Sequence, residues 1–305
     1  MMAISNKPLL ISIVGPTAVG KTALAIQLAQ WLETEIISAD SRQFYQEMTI
    51  GTAKPSPKEL ALVPHHFIDS HSIKEIYSAG AFGRDAEKKI VEIHQTKKTV
   101  IAVGGSGLYL KAIWEGFDDM PEVDLNIRKE LNEELGENGL THLLDQLKDL
   151  DPEYYEEVDK MNGQRIIRAL EVIRGTGKPF SYFRRANTRE MPYEQLKIGL
   201  NLEREKLFER INLRMDLMIK AGLFEEAKAL YKHKNHNALQ TVGYSEIFDF
   251  FDRAYDREEA IRLLKRNSRR YAKRQLTWFN KYDDIHWFEP DQVDEIKALI
   301  EKALL

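Results

Sequence analysis

The run Gly15-Pro16-Thr17-Ala18-Val19-Gly20-Lys21-Thr22 constrains this chain more than any other feature. It follows a short apolar run, Leu9 to Val14, and precedes apolar residues that recur at helical spacing from Thr22 to Trp31. Strand, glycine loop and helix in that order form the setting in which Gly-x-x-x-x-Gly-Lys-Thr acts as a phosphate loop. The two glycines let the backbone curl until successive N–H groups point inward at phosphate oxygens. The helix beginning near Lys21 adds unpaired amides and its dipole, Lys21 brings a mobile positive charge, and Thr22 offers a hydroxyl to Mg2+. The motif leaves the occupant open. A nucleoside triphosphate is the default, but a pyrophosphate ester satisfies the same amides.

The spacing predicts further strands at Glu35–Ala39, His66–Ile68, Thr99–Val103, Gln195–Leu200 and Asp284–Phe288, with a helix over Ser78–His94. Strand and helix alternating at this rate indicate an α/β core with a mostly parallel sheet. Between about Asp118 and Arg185 the pattern is helical and rich in Leu, Glu and Asp, with no convincing strand. The expected organisation is a first core part over 1–118, a mainly helical insertion over 119–190, and a second core part over 191–305 that carries long helices. These include Arg204–Ile219, Phe224–Lys232 and Arg257–Phe279. Apolar residues make up 43% and charged residues 30%, as in an ordinary globular protein. There are no cysteines, no apolar stretch of membrane-spanning length and nothing like a secretory leader. A cytoplasmic protein without disulfides, cysteine zinc sites or membrane attachment is expected.

Asp40 stands at the end of the second predicted strand, and the C-terminal edge of a parallel sheet is where such folds bind ligands. A carboxylate there can take a proton from an incoming nucleophile; Ser41, Arg42 and Gln43 follow it and could touch an acceptor. Gly104-Gly105-Ser106-Gly107 directly follows the Thr99–Val103 strand, so it opens on the same edge. Close approach of a ligand to this turn competes with a tight strand-to-helix connection as the reason for its glycines. His65-His66 is not read as a metal pair, because adjacent side chains diverge and no third ligand is suitably spaced.

The net charge of −4 argues against general nucleic-acid coating, but it hides a local excess. Arg262 to Lys281 holds eight Lys or Arg and no Asp or Glu. On a helix, Ile261, Leu264, Ser268, Tyr271, Gln275 and Trp278 form a packed stripe, flanked by the rows Arg262/Arg266/Arg270 and Lys265/Arg269/Lys273. Such rows match a phosphodiester backbone better than a small metabolite, and the first choices for contact are Arg266 and Arg269. Gln164, Arg165 and Arg168 form a second basic feature, with Arg184, Arg185 and Arg189 beyond it.

Taken together, the blocks GPTAVGKT (15–22), SADSRQFY (38–45), MTIGTAKPS (48–56), VGGSGLYLKA (103–112), NGQRIIRALEV (162–172), GYSE (243–246) and YAKRQLTWF (271–279) resemble those of the tRNA dimethylallyltransferase family. They run through nearly the whole chain in the expected order. The resemblance implies an α/β core like the phosphate-loop nucleoside-triphosphate hydrolases and kinases, with a helical insertion that grips the anticodon arm of tRNA. It implies transfer of a dimethylallyl group from dimethylallyl diphosphate to N6 of the adenosine immediately 3′ of the anticodon, with Mg2+ and a monomeric enzyme. By motif correspondence Asp40 resembles the general base, while Lys21, Thr22 and Arg214 resemble the residues facing the diphosphate held by the 15–22 loop. Asp40 to Gln43 and Gln164, Arg165, Ile166, Ile167 and Arg168 resemble tRNA-contacting stretches, and Ser106 and Arg128 match single tRNA-contacting positions. Two departures stand out: Ser106 where threonine is common, and Arg42-Gln43 in place of a more apolar pair. A small-molecule kinase using ATP, and a nucleotide-gated RNA-binding module without catalysis, are the competing readings of the same loop.

Overall fold

The computed structural model describes residues 7–118, 120–184 and 190–305. The chain divides into two compact units, Met1–Gly116 with Glu190–Leu305, and Phe117–Arg189.

The first unit is built on a six-stranded sheet of order β3-β2-β4-β1-β5-β6. Its strands are β1 (Leu9–Val14), β2 (Ile36–Ser38), β3 (His65–His66), β4 (Thr99–Val103), β5 (Glu194–Leu200) and β6 (Ile285–Phe288). Every pairing is parallel. β1 lies at the centre, with Leu9 opposite Thr99 of β4 on one side and Glu194 of β5 on the other. A strand buried on both faces needs apolar residues on both, which is why β1 reads LLISIV without alternation. Leu10 and Val14 pack into one core with Val100 and Ala102. Leu9, Ile11 and Ile13 pack into the core on the opposite face with Ile101 and Val103. The one polar residue, Ser12, is fully buried and accepts a hydrogen bond from Trp114 Nε1 at 2.8 Å.

Parallel neighbours require crossovers, and these carry helices Lys21–Trp31, Ala79–His94 and Gly107–Trp114 in the first half and Arg204–Lys220, Leu223–Leu230, Ser245–Phe251 and Arg257–Phe279 in the second. A last helix, Val293–Leu304, follows β6. The chain leaves β1 to build β2, and β4 then enters between them. The ends of β1, β2 and β4 thereby open on one edge, at the place where strand order reverses. The sequence expectation for β3 was His66–Ile68; the structure forms it at His65–His66, a two-residue edge strand too short to leave an apolar signature.

The second unit, among its described residues, is helical: Leu125–Leu150, Pro152–Glu157, Gly163–Thr176 and Phe180–Phe183. Gly139, at φ 78°, interrupts the first of these. Leu131, Leu143, Leu147, Ile166, Ile167, Leu170 and Phe180 form its core. Asp151 is 1% exposed and fully used: it caps Tyr154 N–H at 3.1 Å and accepts from the Ser181 amide and hydroxyl, both at 2.8 Å. Arg174 grips Glu134 with two hydrogen bonds of 2.7 and 2.9 Å, which draw that carboxyl down to about 2. No helix among the described residues is long and apolar enough to cross a membrane.

Candidate active site

The loop after β1 takes the shape its residues dictate. Gly15 at φ 139° and Gly20 at φ 118° adopt conformations that side chains resist, and a Cβ on Gly15 would run into the Leu200 carbonyl. Ala18 is also left-handed, at φ 66°, which turns consecutive amides the same way and makes an anion-binding nest. Gly20 then caps the Lys21–Trp31 helix. Lys21 folds back over the loop, its Nζ donating to the carbonyls of Pro16 at 2.7 Å and Gly15 at 3.0 Å. Burial, with the nearby charge of Arg214, pushes Lys21 down to about 7, while Asp40 acts in the opposite direction.

Residues far along the chain pin this loop. Arg214 Nη2 donates to the Thr17 hydroxyl, and Arg210 Nη1 to the Val19 carbonyl at 3.2 Å. The Thr17 amide donates to Gln275 Oε1 at 2.8 Å. Both arginines come from the Arg204–Lys220 helix, one turn apart.

Asp40 follows β2 across the crevice. Its Oδ1 accepts from the amides of Arg42 at 2.9 Å and Gln43 at 3.3 Å, an Asx turn that fixes the carboxylate relative to its own loop. Ser106 ties this loop to the one after β4: its Oγ accepts from Ser41 N–H at 2.9 Å and donates to Ser41 Oγ at 3.1 Å. The Gln43 amide is engaged within the protein: its Nε2 donates to the carbonyls of Thr52 and Ala53, both at 3.2 Å, and its Oε1 accepts from Ser38 Oγ at 3.1 Å. Tyr271 completes the cluster. Burial first, and then the Asp40 charge, push its phenol up to about 12, with Ser106 opposing. Asp40, Lys21 and Arg214 are thus within electrostatic reach of one another, and Asp40 also holds the Arg214 charge against burial.

The glycine turn at 104–107 has a different explanation from ligand approach. A Cβ on Gly104 would meet the Ala39 carbonyl, one on Gly105 the Gln275 amide, and one on Gly107 the Trp278 indole. The protein's own groups occupy the space these glycines leave.

The sequence model of the IPP transferase family matches residues 43–282. The tRNA dimethylallyltransferase of Cytophaga hutchinsonii is 50% identical over 303 residues, 99% of each chain, and that of Christiangramia forsetii is 54% identical over 283 residues, 93% of this chain and 94% of its own. The chain belongs to the IPP transferase family. Its fold agrees with that assignment: a tRNA isopentenylpyrophosphate transferase from Bacillus halodurans superposes with a TM-score of 0.72 at 40% identity, covering 98% of this chain and 97% of the other. The family match begins after Asp40, so the phosphate loop is tied to the family by the full-length relatives and not by the matched span.

In this family member the basic helix divides its charges. Arg262 is paired with Glu259 at 2.6 Å, Lys265 with Asp216 at 2.6 Å, and Arg269 with the Asn212 amide oxygen at 2.6 Å. Arg266 donates to Asn267 at 3.2 Å. Arg270, Lys273, Arg274 and Lys281, by contrast, line one recess of about 360 Å³ with Thr277 and Trp278. Arg266 and Arg269, the first choices on charge pattern, are half-buried and engaged within the protein, whereas Arg270, Lys273, Arg274 and Lys281 are exposed.

In the helical unit Gln164 and Arg165 are exposed, while Ile166 and Ile167 are fully buried, so their side chains pack the unit's core. Arg168 donates to Glu171 at 3.1 Å and Arg128 Nε lies 3.5 Å from the same carboxylate. Glu171 itself is 3% exposed. Arg184 pairs with Glu157 and covers the Tyr154 ring, whereas Arg185 and Arg189 lie outside the described residues. His65 and His66 bond separately, to the Val63 carbonyl at 2.9 Å and to Glu35 at 2.6 Å. Among the described residues no cluster of His, Cys, Asp or Glu could hold a metal ion by itself. Sequence reasoning placed Tyr271 and Gln275 on a packed stripe and did not consider Arg210; the available signal was a hydroxyl, a phenol and an amide (Ser268, Tyr271 and Gln275) among the apolar residues of that helix face.

Proposed function

We propose that this chain transfers the dimethylallyl group of dimethylallyl diphosphate to N6 of the adenosine immediately 3′ of the anticodon in tRNA, releasing diphosphate. The observation that carries the reading is the convergence of the 15–22 nest, Lys21, Arg214 and the fixed Asp40 carboxylate on one sheet edge, in a member of the IPP transferase family. Adenine N6 is a weak nucleophile because its lone pair is delocalised into the ring. As the new C–N bond forms at the allylic carbon, the N6 proton passes to Asp40. Oδ1 is held by its own loop, which leaves Oδ2 to receive that proton. The C–O bond breaks and its electrons leave with the diphosphate, whose growing charge is met by the loop amides, Lys21 and Arg214.

The donor set suits Mg2+. A hydroxyl and at most one carboxylate from the protein, with the rest from diphosphate oxygens and water, is how this ion binds, whereas zinc and calcium need more protein ligands. Thr22 would hold it, and it would supply charge neutralisation on the leaving diphosphate. The recess lined by Arg270, Lys273, Arg274 and Lys281, and the exposed Gln164 and Arg165, serve the RNA backbone. A single-stranded anticodon loop lets the target base leave its stack at modest cost.

Incubation with dimethylallyl diphosphate, Mg2+ and unmodified tRNA, followed by nucleoside mass analysis, should yield prenylated adenosine. Phosphate transfer from ATP without prenyl adenosine would instead make the chain a kinase.

A further inference from the structure

Gln275 is 6% exposed, one turn from the C-terminal end of the Arg257–Phe279 helix, on its packed stripe. An amide so placed must satisfy both ends or cost stability. Gln275 satisfies both with backbone groups of the two loops that frame the candidate site. Oε1 accepts from Thr17 N–H at 2.8 Å, within the phosphate loop after β1. Nε2 donates to the Gly105 carbonyl at 2.9 Å, in the turn after β4. The carboxamide is a rigid plane, so the two contacts set the spacing between these loops. Gly105 is complementary to it, since a Cβ there would overlap Gln275 Nε2. The contact also takes Thr17 N–H out of the pool of amides open to phosphate. The nest is then left to the residues from Ala18 onward, where the left-handed turn begins.

We infer that Gln275 is a positioning residue for the diphosphate-binding loop, holding Thr17 and Gly105 in the arrangement that receives the donor's leaving group. The inference rests on the proposed function in taking the loop's ligand to be a diphosphate. Gln275 acts through the loop and touches no reacting atom. The same helix carries Lys273 and Arg274 on its exposed face, so the loop is braced from the element that presents the basic recess.

The test uses the full-length protein, with inorganic pyrophosphate and Mg2+ as the probe in calorimetry, alongside steady-state prenyl transfer. Gln275→Met keeps the length of the side chain and removes both hydrogen bonds. It should weaken pyrophosphate binding and raise KM for dimethylallyl diphosphate by about tenfold, the loss expected for a buried backbone contact. kcat at saturating donor and the Kd for tRNA should stay within about twofold. Gln275→Glu keeps an acceptor for Thr17 but sets an oxygen against the Gly105 carbonyl and adds negative charge beside the loop, so it should lose at least as much pyrophosphate affinity as Gln275→Met. Gly105→Ala, whose Cβ displaces the Gln275 carboxamide, should reproduce the Gln275→Met defect, and the double variant should be no worse than either single one, because both act on the same pair of contacts. Unchanged pyrophosphate affinity in folded Gln275→Met overturns the inference, as does an equal loss of pyrophosphate and tRNA binding. Should Gln275→Met fail to fold, Gln275→Glu and Gly105→Ala decide by the same readouts. Absence of pyrophosphate binding in the wild-type protein would sink the proposed function instead.

Discussion

The two units solve the problem of holding charged groups in opposite ways. In the α/β unit the functional groups sit on loops between strand ends and helix starts, and their positions are over-determined by backbone contacts. Asp40 is fixed by two amides of its own loop, and the phosphate loop is gripped by Arg210, Arg214 and Gln275. In the helical unit, the capping Asp151 apart, the engaged charges named above are side chains held by one another. Arg128 and Arg168 share the buried Glu171, and Arg174 chelates Glu134. Backbone-held groups can be placed closely enough for chemistry, while side chains paired on helices serve contact with a large charged partner. Under the proposed function the chemical step belongs to the sheet edge, and RNA affinity to the helical unit together with the basic recess of the Arg257–Phe279 helix.

After Asp40 itself, the largest effect should come from the phosphate loop. Lys21→Ala removes a charge aimed at the leaving group, and kcat/KM for the donor should fall by about 10²–10³ with tRNA binding intact. A loss confined to tRNA binding would erase the distinction between the units. Next is the basic recess. Arg270→Ala or Lys273→Ala should weaken tRNA binding several-fold and lower its salt slope by about one, measured by titration at several ionic strengths. Arg262→Ala, which breaks only a surface pair, should leave both within about twofold. Equal effects from the two groups would mean that the recess has no special role.

Glu171 sharpens the comparison from the other side. Glu171→Ala leaves Arg128 and Arg168 without their shared partner; both are part-exposed and can turn to water, so the cost should be about 1–2 kcal/mol in chemical denaturation. tRNA binding should weaken with it, and donor KM should not change. A donor defect would contradict the division of labour.

The smallest effect is a proton. Lys21 is lowered to about 7 from the ordinary 10.5, so in the free protein it loses its charge as pH rises through about 7. Because the unfolded chain binds more protons across that window, the contribution of Lys21 to stability rises with pH from about 7 to 10.5. Diphosphate binding favours the charged form and should draw in a proton at pH 8. Calorimetry in buffers of different ionisation enthalpy would show this uptake, which Lys21→Met should abolish. Uptake equal in the two proteins would move the proton to another group.

What the sequence made legible follows the same divide. β1 and β4 fall on the residues expected because strands buried on both faces are continuous apolar runs, and the loop after β1 is a local pattern of glycines and a lysine. The contacts of Gln275 and Arg210 with that loop cross more than 170 positions of chain and leave no local mark beyond a polar residue on a packed stripe. The basic rows were visible as charge, but pairing with Asp216 or Asn212 depends on a neighbouring helix that spacing does not locate. In the stretch Gln164–Arg168 a motif resemblance treats all five residues alike. Helical spacing separates them, since Ile166, Ile167, Leu170 and Ile173 form the buried face and Gln164 and Arg165 the exposed one.

The division is tested most directly by single-turnover prenyl transfer, measured over a range of tRNA concentrations with donor saturating. Asp40→Asn should lower the rate at saturating tRNA by about 10²–10⁴ while the concentration giving half that rate stays in place. Arg165→Ala should do the reverse, shifting the half-saturating concentration and leaving the saturating rate unchanged. A saturating rate in Arg165→Ala as low as that of Asp40→Asn, or an unchanged rate in Asp40→Asn, would contradict the account.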